Sequence, residues 1–138
     1  MRAEVFLDTN VLVYAFDPAN PKKQERARAL IRDSGWWISW QVMQEFAHVA
    51  LHRFAVPLKG KDLADYLEVA LWPRCRVFPS PEIFRQSLRL QGETGHRFYD
   101  CLVLASAMAC GAKTLLSEDF QDGRSYGPLK VLNPFRET

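Results

Sequence analysis

Ala3-Glu4-Val5-Phe6-Leu7-Asp8-Thr9-Asn10 is a short, β-prone apolar run that stops on a carboxylate. A run this short and continuous reads as a strand buried on both faces, the pattern of a parallel sheet covered by helices. Glu4 and Asp8 also break the apolar stretch that a secretory leader needs, so secretion is not expected.

Working outward, further strand-like runs fall at 36–39, 75–78, 113–116 and 129–132, giving about five strands from residue 3 onward. Helical spacing or helix punctuation separates them. Residues 11–16 predict a short helix stopped before Asp17-Pro18, and Asn20-Pro21 supplies a cap and a first-turn proline for a helix reaching about residue 33. Residues 41–53 carry Val42, Phe46, Val49 and Ala50 on one stripe, and 62–71 predicts another helix. Ser80-Pro81-Glu82 opens a helix to about residue 91, a loop covers 92–97, and an apolar helix runs from 98 or 99 to Cys110 before Gly111. Strands alternating with helices predict an α/β fold with a central, mainly parallel sheet and right-handed connections.

The 138 residues and 48% hydrophobic content predict one domain, 1–138, with one core. A net charge of +2 is too small for a protein that coats nucleic acid by charge alone, so any such contact is local. No apolar stretch approaches the roughly 20 residues of a membrane span, and no membrane partner is expected. Three cysteines, Cys75, Cys101 and Cys110, lack metal-ligand or disulfide-framework spacing and predict buried, inert thiols in a reducing cytosol.

Four acids fall at the ends of predicted elements: Asp8 after the first strand, Glu45 entering helix 41–53, Asp100 opening the apolar helix, and Asp119 after strand 113–116. Parallel sheets bind ligands outside the carboxyl ends of their strands, where these acids can converge. Carboxylates repel one another, so gathering four is most simply explained by a hard divalent cation, Mg2+ or Mn2+, held in oxygen ligands. Water activated there can attack a phosphodiester in line. Taken singly, Asp8 and Asp100 read equally as helix caps, and Asp119 and Asp122 as loop formers before Gly123.

Other groups carry weaker signals. Glu45, His48 and His52 share a helix face without any zinc-ligand motif, so histidine ligation is not favoured. Lys22, Lys23, Arg26, Arg28 and Arg32 read as a solvated basic face, whereas Arg97 and Arg124 flank the acids and are candidates for gripping the phosphates of such a substrate. Trp36, Trp37, Trp40 and Trp72 are assigned to core or subunit interface in preference to base stacking.

Asp8-Thr9-Asn10, Gln44-Glu45-Phe46, Tyr99-Asp100 and Ser117-Glu118-Asp119-Phe120, in that order, resemble the PIN-domain ribonucleases, and the tail through Asn133-Pro134-Phe135 resembles their VapC-type toxins. The resemblance spans nearly the whole chain. It implies a PIN-like three-layer α/β/α sandwich and a Mg2+- or Mn2+-dependent endoribonuclease toxin, homodimeric and silenced by a cognate antitoxin. Asp8, Glu45, Asp100 and Asp119 match the catalytic, metal-binding quartet, and Thr9 and Asn10 match the polar pair beside its first member. Glu118 and Asp122 compete with Asp119 for the fourth place. For the homodimer, the helices at 21–33 and 62–71 are the contact elements suggested by analogy.

Competing readings fail on particular residues. A haloacid-dehalogenase-like phosphatase wants an acid where Asn10 stands, a nucleotide-binding fold wants glycines after the first strand, and a receiver domain wants paired acids there. The alternative from another class is a catalytically silent PIN-like module that holds RNA or protein without cutting.

Overall fold

The computed structural model describes residues 4–33 and 35–137. Six strands, β1 (Val5–Leu7), β2 (Trp36–Ser39), β3 (Cys75–Val77), β4 (Thr114–Leu116), β5 (Ser125–Tyr126) and β6 (Leu129–Leu132), form one sheet in the order β3-β2-β1-β4-β6-β5. Every pairing is parallel except β5 with β6. The helices are α1 (Thr9–Tyr14), α2 (Pro21–Arg32), α3 (Trp40–His52), α4 (Gly60–Tyr66), α5 (Pro81–Thr94) and α6 (Phe98–Ala109). After α4 the chain passes through a π-helical turn, Leu67–Leu71, and a 3-10 turn, Trp72–Arg74.

The mainly parallel α/β sheet of the sequence reading is present, with one strand more than expected. β5 is two residues long and antiparallel, too short to show alternation, and is turned back on β6 across Gly127 at φ +57°. The predicted start of the first strand at Ala3 lies outside the described residues.

Strand order places the site. From β1 the chain moves to β2 and β3 on one side, then crosses back to β4 on the other. Right-handed crossovers require α1–α4 to cover one face and α5–α6 the opposite one. The carboxyl end of β1 is therefore the point where the winding reverses, and a crevice opens there. Phe6 and Leu7 point to opposite faces and are both buried, joined in the core by Leu12, Ile38, Phe46, Leu104 and Leu115.

Several helix ends follow local chemistry. The Ser80 hydroxyl accepts from the Ile83 N–H at 3.2 Å, ahead of Pro81 in the first turn of α5. That helix outruns its expected end at residue 91 and stops on Gly95, at φ +73° with its N–H on the Gln91 carbonyl. Gly95→Ala should cost about 1 kcal/mol in a urea melt, because a Cβ is strained in this left-handed conformation. Asn20 does not cap α2 through its side chain; its Nδ2 donates to Asp17 Oδ2 at 2.8 Å, and Pro21 sets the helix start. The basic face of α2 is exposed at Lys22, Arg26, Arg28 and Arg32, as expected, and two of its arginines also bond backbone carbonyls. Arg28 Nε donates to the Ala15 carbonyl at 2.8 Å and Arg26 Nε to that of Pro134 at 3.2 Å.

Candidate metal centre at the end of the first strand

Strand register builds the site from Asp8. Leu7 pairs with Leu116, and the Asp8 N–H donates to the Leu116 carbonyl at 3.0 Å, so Asp8 and Ser117 leave adjacent parallel strands side by side. Asp8 is 5% exposed; its Oδ1 accepts from the Thr9 N–H at 2.7 Å and its Oδ2 from the Ser117 hydroxyl at 2.7 Å. It thus caps α1, and the capping reading holds. Burial pushes its carboxyl up to about 7, with the charges of Asp119 and Glu45 adding to that and the Ser117 and Thr9 bonds opposing it.

Glu45 lies in the second turn of α3, beyond the helix entrance expected from the sequence. Its Oε1 accepts from the Thr9 hydroxyl at 3.1 Å. Partial burial raises its pKa, the Thr9 bond opposes this, and the charges of Asp100 and Asp119 raise it further. Asp119 lies near solvent, where its Oδ2 accepts from Asn10 Nδ2 at 3.2 Å and its N–H donates to Ser117 Oγ at 3.1 Å. Asp100 is in the first turn of α6, with the exposed Arg97 Nε 3.7 Å from its Oδ2. Mutual repulsion links Asp8, Glu45 and Asp119, and reaches Asp100 through Glu45.

The three candidates for the fourth place differ in their partners. Glu118 accepts from Lys23 and Tyr14, and Asp122 accepts from the Asn133 N–H and from Arg136, both at 2.8 Å. Asp119 is the one whose charge acts on Asp8 and Glu45. Thr9 and Asn10 meet acids as their position suggested, and Asn10 Nδ2 also reaches Ser117 Oγ at 3.3 Å. Ser117 is the residue that sequence reasoning quoted without assigning a role. Fully buried, it bonds Asp8, Asn10 and Asp119 at once. Its signal is its place directly after β4, level with Asp8.

The donor set suits a hard divalent cation: it is all carboxylate oxygen, and it contains a buried acid whose ionisation an added positive charge would favour. Yet among the described residues no three acidic, histidine or cysteine side chains converge closely enough to hold an ion as they stand. Thr9, Asn10 and Ser117 engage the carboxylates instead. His48 and His52 meet at a tilt, ring centroids 4.8 Å apart, on the exposed side of α3. Cys75, Cys101 and Cys110 are free, the first two buried, and burial raises all three thiols, Cys110 to about 11.

The PIN domain family model matches residues 5–121 of this chain, which carry all four acids. The chain belongs to the PIN domain family. No curated protein matches it. The PIN domain is also similar to solved structures across nearly its full length. A toxin-antitoxin complex from Klebsiella pneumoniae matches at TM-score 0.69 and 19% identity, over 95% of this chain and 98% of that one. FitAcB from Neisseria gonorrhoeae matches at 0.59 and 23%, over 96% and 99%. Mycobacterium tuberculosis VapC20, described as a sarcin-ricin loop cleaving toxin, matches at 0.63 and 16%, over 84% and 92%. At these identities the likeness shows the fold.

Beside Asp119, this PIN domain offers a cleft of about 470 Å³ lined also by Thr9, Asn10, Phe16, Arg53 and Phe54; Asp8, Glu45 and Asp100 are not among its lining residues. Arg124 lies with its guanidinium carbon 4.7 Å over the Tyr126 ring. Trp36 is buried, its Nε1 donating to the Ile31 carbonyl, while Trp40 and Trp72 meet edge-to-face at 6.2 Å and remain partly exposed. Trp40 lines a separate hollow of about 290 Å³ with Phe78, Phe84, Phe98 and Tyr99. Among the described residues no helix is long and apolar enough to cross a membrane.

Proposed function

We propose that this PIN domain is a Mg2+- or Mn2+-dependent endoribonuclease of the VapC toxin type, acting as a homodimer and neutralised by a cognate antitoxin. The observation that carries the proposal is a buried acid, Asp8, at the carboxyl end of β1 where the winding reverses, with the charges of Asp119 and Glu45 raising its cost of ionisation and those of Asp100 and Asp119 raising that of Glu45. Asp8, Glu45, Asp100 and Asp119 would hold the cation. When bound, the cation supplies charge neutralisation at the scissile phosphate and lowers the pKa of water.

The chain's own side chains do the rest. Ser117 and the Thr9 N–H fix the Asp8 carboxylate, so its two oxygens face set directions before RNA arrives. Thr9 and Asn10 hold Glu45 and Asp119 near the centre, and must release them for these acids to close on a cation. Arg97 and Arg124 offer guanidinium forks for the RNA backbone on either side of the acids. Arg97→Ala and Arg124→Ala should each raise KM about tenfold with kcat little changed, and flatten the salt dependence of RNA binding. A fall in kcat at constant KM would place them in the chemical step instead.

A specific observation favours a second reading, the silent binding module: the acids do not converge on a point as they stand. The deciding experiment incubates the purified chain with a mixed RNA panel in EDTA, Mg2+ or Mn2+, beside Asp8→Asn and Asp100→Asn proteins prepared identically. Metal-dependent cleavage lost in both variants establishes the nuclease. Intact RNA that nevertheless binds the wild type, or a small protein that copurifies with it, supports the silent module.

A further inference from the structure

Glu118 precedes Asp119 but turns away from the quartet. Its Oε2 accepts from Lys23 Nζ at 2.6 Å and its Oε1 from the Tyr14 hydroxyl. Lys23 also donates to the Tyr14 oxygen at 3.3 Å and stands 4.7 Å over the Tyr14 ring, which Phe135 meets edge-on at 4.8 Å. The Lys23 and Glu118 side chains are only 26% and 27% exposed, unlike the loose surface pair Lys61–Asp65 at 85% and 55%. Lys23 also sits in the first turn of α2, where the helix dipole disfavours a cation, so local helix energetics do not explain a lysine there.

The same helix holds both parts of residue 118. Tyr14 is one turn beyond Asn10 on α1. Asn10 Oδ1 accepts the Glu118 N–H at 3.3 Å while its Nδ2 donates to Asp119 Oδ2 at 3.2 Å. Anchoring the Glu118 side chain on one side restricts where the next side chain can point. We propose that Lys23, Tyr14 and Glu118 form a positioning clamp that turns Asp119 toward Asp8 and Glu45 and thereby sets the affinity of the quartet for a divalent cation. Two successive acids then have separate tasks, one anchoring the loop and one serving the centre. The inference rests on the metal-dependent reading proposed above.

The test titrates the full chain with MnCl2 by calorimetry and follows hydrogen exchange at the Glu118 and Asp119 amides in EDTA. Lys23→Met is expected to weaken Mn2+ binding about 10- to 100-fold, the range for losing a residue that orients a metal ligand. It should also speed exchange at both amides, with Lys23→Arg restoring most of each. Tyr14→Phe, which keeps the ring on Phe135, should give a smaller loss and serves if Lys23→Met does not fold. Wild-type Mn2+ affinity in a folded Lys23→Met or Tyr14→Phe protein overturns the clamp, even if the melting temperature falls. If the wild type binds no Mn2+, or binds it as well after Asp8→Asn, the metal reading is what fails. Exchange then judges the clamp: faster exchange at residues 118 and 119 upholds its positioning part, and unchanged exchange overturns it.

Discussion

Asp8→Asn should reduce metal-dependent RNA cleavage by about a thousandfold or more, equivalent to roughly 4 kcal/mol of lost transition-state stabilisation. Asp8 is the quartet member most enclosed by the fold, held by Ser117 on one oxygen and by the Thr9 N–H on the other. Asparagine has the same shape and can still accept from Thr9, so the substitution removes charge while preserving most contacts. In EDTA at acid pH the variant should therefore be about as stable as wild type, and it should become the more stable of the two as pH rises toward 7, because a buried carboxylate repelled by Asp119 and Glu45 is gone. Single-turnover kinetics alongside urea melts check both halves. Loss of more than about 2 kcal/mol of stability would identify Asp8 as a structural cap, since losing a cap typically costs about 1 kcal/mol.

The second large effect is on stability as a function of pH. Asp8 has an ordinary carboxyl value of 3.8 but is raised to about 7 in the fold, chiefly by burial. Below 3.8 both folded and unfolded chains keep this proton, and its contribution to the balance is nil. As pH rises toward 7 the unfolded chain releases the proton while the folded chain retains it, so the fold loses stability. The loss approaches a limit of up to about 4 kcal/mol once pH passes 7. Glu45, also raised, acts in the same direction. Glu118 and Asp122, both lowered, act oppositely and over a lower window, so stability gained above their unfolded values is lost as acid protonates them. Urea melts of metal-free protein from pH 4 to 8 should show the wild type losing stability from about pH 4 to pH 7 and levelling off above it, with Asp8→Asn losing distinctly less. Parallel curves would show that Asp8 is not the group responsible. Saturating Mn2+ should narrow the gap, since a ligand that binds the ionised folded site adds stability where the proton withdrew it.

The framework was legible because its signals are local. Short apolar runs ending on Asp8, Ser39 and Leu116 are strands whose burial leaves little alternative, and Ser80-Pro81 announces α5 through cap chemistry that needs no partner. β5 escaped notice because two residues cannot show a period and its pairing is made with β6. At the site, four acids could be named from the sequence as candidates, and their surroundings could not be read there. Choosing Asp119 over Glu118 needs the direction of two side chains, which depends on Lys23 from a helix 95 residues away in sequence. Asn20 misled because a good capping residue found a better partner in Asp17. Ser117 looked like one more loop serine because its importance lies entirely in strand register.

That register has a consequence for the order of events at birth. Asp8 is synthesised 109 residues before Ser117, which holds it. Until β4 takes its place beside β1, Asp8 has no Ser117 to orient it, the loop bearing Asp119 has no anchor, and the crevice has only one wall. The arrangement of the four acids thus waits for the synthesis of β4 and the loop after it: a nascent chain short of them carries Asp8, Glu45 and Asp100 without the contacts that place Asp8.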